Sequence, residues 1–195
     1  MDFPLQLNFK KIALSPQISV TDANGRMVAY VKQKAFKLKE AITVFAEQEQ
    51  RTPLFTINAD RILDISARYS IRDAQGTELG AVQRRGMRSI WRASYEVVRD
   101  GGTVMQIREE NPWVKVLDGL MGEVPVLNLF TGYVFNPAYV VTRIDSGAAV
   151  MRIMKEPAFL EGKFTITRVG ELSDNDERLA VLSVLMMVLL EKRRG

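Results

Sequence analysis

Arg26, Lys32, Lys34, Lys37 and Lys39 fall in one stretch that contains no acid. Alternate side chains of an extended strand share a face, so Lys32 and Lys34 project together, with Lys37 and Lys39 following. Such a row can hold an anionic headgroup. The same lysines also suit a plainer role, guarding an exposed sheet edge against pairing with another chain. A second basic group, Arg84, Arg85, Arg88 and Arg92, surrounds Trp91 and precedes Tyr95. Guanidinium groups beside aromatic faces can grip phosphate and stack a base, which keeps nucleic acid open as a ligand. Against that, the rings can face the core while the arginines coat the surface of a basic protein.

Other reactive constellations are scarce. The chain has 0 histidines and 0 cysteines, which removes imidazole bases, thiol nucleophiles, disulfides and nearly every zinc or haem ligand set. Asp174, Asp176 and Glu177 could suggest calcium, but no glycine-containing loop or bidentate acid at the required distance follows. They read as the acidic first turn of a helix. Glu47 and Glu49 resemble a glycosidase pair only by residue type, since they sit beside a turn where charge belongs. No phosphate-binding glycine loop or Ser-Lys dyad is present. The expectation is a binding protein with no metal, no cofactor and no catalytic residues. With 27 basic and 23 acidic residues and a pI of about 9.4, anionic partners are favoured.

These side chains must be carried by strands. Ser19 to Val31, Tyr69 to Val82, Tyr95 to Ile107 and Tyr139 to Ile153 share one pattern: an alternating apolar strand, an Asp, a Gly within three residues, and a second alternating strand. Asp accepts backbone hydrogen bonds in a turn and Gly takes positive φ, so Asp22, Asp73, Asp100 and Asp145 are turn formers. Further strands are expected at Leu5 to Phe9, Ala41 to Glu47, Leu54 to Ala59 and Phe164 to Val169, which brings the count near twelve. Their uneven spacing argues against a propeller or solenoid and for one closed antiparallel sheet. The rhythm breaks at 111–137, which holds Pro112, Pro125 and Pro137. Leu120, Met121, Leu127, Leu129, Phe130, Tyr133 and Phe135 make this excursion apolar, expected first as a cap over the barrel mouth and alternatively as a patch at 120–135 that docks a partner, a twin subunit or a bilayer surface.

Ser173 is placed to cap a helix over 174–192, with acids in its first turn and Lys192 in its last. From Leu179 to Leu190 only Ser183 is polar, so no amphipathic stripe exists and the helix must be enclosed on all sides. Its apolar stretch covers roughly 18 Å, against the roughly 30 Å of a bilayer's hydrocarbon core. Burying those side chains at about 2 kcal/mol each is a gross gain on the order of 20 kcal/mol. A closed sheet of about twelve strands is too wide for its own side chains to fill, and this helix is a fitting plug.

Hairpins of this kind around an apolar C-terminal helix resemble the tubby C-terminal-like superfamily, in its LURP-one-related and phospholipid-scramblase-like branch. The resemblance lies in VTDANGRMVAYVKQKAFKLKE, in YSIRDAQGTELGAVQRR and in the segment from Phe159 to Gly195. It implies a mainly β fold: a barrel of about twelve antiparallel strands in a single domain, 1–195, threaded by the central helix. It also implies headgroup contacts from basic residues early in the barrel, the region of Lys32 and Lys34. The chain lacks the cysteine-rich palmitoylated segment of the scramblases, so headgroup binding is expected and lipid transport is not. The N-terminal MDFPLQLNF is no secretory signal, and the expected location is cytoplasmic, peripheral at the membrane. The leading expectation is therefore a non-enzymatic scaffold for anionic phospholipid headgroups. The alternative is a nucleic-acid module built on Arg84, Arg85, Arg88, Trp91 and Arg92.

Overall fold

A computed structural model describes residues 1–10, 17–32, 41–60, 67–84, 94–110, 138–156 and 161–192. The strands are β1 (Leu5–Lys10), β2 (Gln17–Thr21), β3 (Met27–Lys32), β4 (Ile42–Phe45), β5 (Pro53–Ala59) and β6 (Arg68–Asp73). They continue as β7 (Glu78–Arg84), β8 (Ser94–Arg99), β9 (Gly102–Glu109), β10 (Ala138–Arg143), β11 (Ala149–Glu156) and β12 (Glu161–Arg168). One helix, α1 (Asp174–Lys192), follows. Each strand pairs antiparallel with the next, and β12 pairs back onto β1 with Leu7 opposite Phe164, so the sheet closes and has no edge. The expected twelve-stranded antiparallel barrel is the fold. Strand limits move by a few residues: the strand expected over Ala41 to Glu47 is the shorter β4, because Glu47 belongs to the following turn.

Alternation along the strands sends one face inward. Leu5, Leu7 and Phe9 of β1 are buried, as are Ile18 and Val20 of β2 and Phe164 and Ile166 of β12. They form one cluster with the helix, in which every residue from Leu179 to Leu189 is 3% exposed or less. A helix buried on all faces within the same cluster as the inward faces of a closed sheet occupies the barrel's interior. One close approach is at Gly80 on β7: a Cβ there would lie 2.6 Å from the Val98 carbonyl oxygen and 2.9 Å from Leu179 Cδ2. Its φ of +151° is in the region glycine favours, so both space and backbone demand that residue.

Simple up-and-down order divides the molecule into two ends. At one, the turn end, β2–β3, β4–β5, β6–β7, β8–β9 and β10–β11 are joined by short turns, and α1 begins. At the other, the far end, β1, β3, β5, β7, β9 and β11 finish and α1 terminates. The apolar excursion at 111–137, with its patch at 120–135, lies outside the described residues.

Candidate functional site

The far end carries the described part of the candidate basic surface. Lys10 is opposite Gln17, and Gln17 is opposite Lys32, so three neighbouring strands end side by side with an exposed lysine on each flank. Neither lysine forms an ion pair among the described residues. Lys34, Lys37 and Lys39 lie outside the described residues, although the chain carrying them leaves β3 and enters β4 at this same end.

Arg84 closes β7 at the far end too, half-buried, with its Nε inaccessible and without a hydrogen-bond partner among the described residues. Arg85, Arg88, Trp91 and Arg92 lie outside the described residues. They belong to the chain between β7 and β8, whose ends are also at the far end. The described members of the two basic groups, Lys32 and Arg84, thus both close strands at the far end. One part of the basic and aromatic patch is corrected. Tyr95 is 1% exposed, and its register puts it beside inward Ile107, so its ring cannot stack on an external base. Its hydroxyl donates to Glu191 Oε1 at 2.5 Å, which anchors the helix C-terminus to β8. Nearby Tyr139 is pushed up to about 12 by burial, with the charges of Glu191 and Glu109 adding to the shift.

Chemistry at the turn end is different. Asp22 Oδ1 accepts from the backbone N–H groups of Asn24 and Arg26, and Asp73 Oδ1 accepts from Gln75 and Thr77, the roles expected of turn acids. Burial works against the Asp22 carboxylate, yet hydrogen bonds from the Arg26 side chain and from the Arg26 and Asn24 amides outweigh it and hold the carboxyl below its usual range. The Arg143 guanidinium holds Asp145 well below that range. Glu47 Oε1 accepts from the amides of Arg51 and Thr52, which makes it a turn brace.

Acids expected only to suit the helix dipole do more. Ser173 Oγ accepts from the Asp176 amide as an N-cap should. Asp176 also meets Arg99 at 2.6 Å and Arg143 at 3.8 Å, while Glu177 meets Arg168 at 3.1 Å and the Met1 amine at 3.2 Å. The first turn of α1 is thereby clamped to the ends of β8, β10 and β12. Sequence reading missed these pairs because nothing local links Arg99 to Asp176; the available signal was an arginine recurring at strand ends.

The two ends differ in charge. Segments 1–4, 21–27, 45–53, 72–79, 99–103, 143–149 and 168–178, which build the turn end, hold twelve acids and seven arginines, and not one lysine. With 27 basic and 23 acidic residues in all, the excess of positive charge belongs to the rest of the chain. Among the described residues no three acids converge as a metal would require, and no helix is long and apolar enough to cross a membrane.

An X-ray structure of an Arabidopsis thaliana protein is similar over 98% of this chain and 92% of that one, with 16% identity and a TM-score of 0.49. No curated protein matches the chain. The family described as LURP-one-related matches residues 27–187, from the start of β3 to the second last turn of α1 and better than half the sequence. The chain therefore belongs to the LURP-one-related family.

Proposed function

We propose that this LURP-one-related barrel is a non-enzymatic, cytoplasmic binding protein that docks peripherally on anionic phospholipid headgroups through its far end. Family membership supports a binding fold. The observation that carries the headgroup reading is the sorting of charge. Lys10 and Lys32 stand exposed at the far end, the segments carrying Lys34, Lys37, Lys39, Arg85, Arg88 and Arg92 connect strands there, and the turn end is net acidic. An anionic surface attracts one end and repels the other, so attraction and orientation come from the same field. Each lysine or arginine near such a surface contributes about 1 kcal/mol, so four to six of them suffice for reversible association.

Sedimentation with vesicles tests this. Wild-type protein should pellet with phosphatidylserine-containing vesicles at low salt, remain in solution with neutral ones, and be released as salt screens the field. The double substitution Lys32→Ala, Lys34→Ala should reduce the bound fraction severalfold. Equal pelleting on both vesicle types, or no pelleting at all, refutes the reading. A labelled oligonucleotide bound more tightly than the vesicles would favour a nucleic-acid role for the Arg84 to Arg92 segment instead.

A further inference from the structure

The turn end holds a cleft of about 330 Å³ between the β6–β7 turn, the β8–β9 turn and the first turn of α1. That volume is at the lower bound of small-ligand clefts. Phe55 and Leu79, both half-buried, supply its apolar wall, and most of its charged lining is already committed. Glu78 is paired with Arg68 and Arg72, while Arg99 serves Asp176 and the Leu79 carbonyl. Arg99 Nη2, by contrast, is buried without a hydrogen-bond partner among the described residues, and three further groups are left facing the cleft. Asp100 and Arg178 are exposed and make no hydrogen bond or ion pair among the described residues, and Asp73 uses only Oδ1 for its turn, which leaves Oδ2 available. Two carboxylates and one guanidinium, all lining one cleft beside apolar carbon, present a pole of each sign with negative charge in excess. The acidic turn end surrounds them and draws in cations.

We propose that this cleft binds a free basic α-amino acid, arginine or lysine, with its cationic groups on Asp73 and Asp100 and its carboxylate on Arg178. The methylenes of the ligand lie along Phe55 and Leu79. A purely anionic ligand is disfavoured by the two acids, and a cation without a carboxylate leaves Arg178 unused. This site is at the opposite end from the proposed headgroup surface and does not depend on it.

Amide NMR titration of the full chain tests the proposal with L-arginine, L-lysine, L-glutamate and agmatine, which is arginine without its carboxylate. Saturable shifts at Asp73 to Thr77, Asp100, Gly101 and Asn175 are expected with arginine and lysine. Glutamate and agmatine should bind about tenfold more weakly or worse. Asp100→Asn, which keeps a residue tolerant of the φ of 51° found there, should weaken arginine about tenfold. In Arg178→Gln, arginine should fall to the level of agmatine. The proposal is overturned by absence of saturable shifts up to about 20 mM arginine, by glutamate binding as well as arginine, or by unchanged affinity in both variants. Neither side chain is part of the packed core, and amide spectra that superpose away from the cleft establish that each variant is folded.

Discussion

At Gly80 the sheet lies close against the enclosed helix, and the side chain an added Cβ would meet is Leu179, the first buried apolar residue of α1. Because a Cβ would also press on the Val98 carbonyl oxygen, relief requires moving backbone as well as the leucine. Gly80→Ala should therefore lower stability by about 2 to 4 kcal/mol, combining overpacking with an unfavourable φ. Gly25, whose added Cβ would meet nothing within 4 Å, provides the control: its alanine variant bears the backbone strain without the clash. Urea denaturation should rank Gly80→Ala well below Gly25→Ala. Equal losses would show that the helix is not packed against β7 as described. Sequence reading treated the glycine of YSIRDAQGTELGAV at position 76 as the informative one, since a turn is a local event. Gly80 is constrained by a residue ninety-nine positions later in the chain, and nothing near it in sequence signals that.

The helix and the strand ends explain each other. Packing encloses Leu179 to Leu189, while Asp176 and Glu177 fix where the helix starts relative to β8, β10 and β12. Glu177 is 7% exposed and its partner Arg168 is 40% exposed, so solvent screens one side of the pair and its worth is well below that of a fully buried one. Glu177→Gln should cost about 1 to 2 kcal/mol, and a double-mutant cycle with Arg168→Gln should recover roughly 1 kcal/mol of coupling. Zero coupling would mean the clamp is a geometric coincidence. Most of the architecture was legible in the chain: period-two alternation gave the strands, the Asp and Gly pairs gave the hairpins, and unbroken apolarity required the helix to be enclosed. Long-range ion pairs were not legible, because arginine at a strand end and acid in a helix turn each have a sufficient local reason to be there. Tyr95 could have been placed inside by continuing its alternation through Val97, and its register opposite Ile107 confirms that parity.

Across the molecule, the up-and-down order assigns every connection to an end by counting alone. If the turns at Asp22, Asp73, Asp100 and Asp145 share one end, then the stretches after Lys32 and after Arg84 must leave from the other. That inference was available from the sequence once the hairpins were recognised, and it joins two basic groups that otherwise compete as separate sites. What the barrel adds is the opposing acidity of the turn end, so the protein has a direction as well as a net charge. The absence of cysteine from the sequence makes that direction measurable, because a single introduced thiol is the only point of spin labelling. Nitroxide labels at Lys10→Cys on the far end and at Ala74→Cys in the β6–β7 turn, both exposed positions, can be compared on phosphatidylserine vesicles by their accessibility to a water-soluble relaxation agent. Docking through the far end predicts that the label at position 10 becomes protected on binding while the label at position 74 stays fully accessible. Equal protection of both, or protection at position 74 alone, would contradict it.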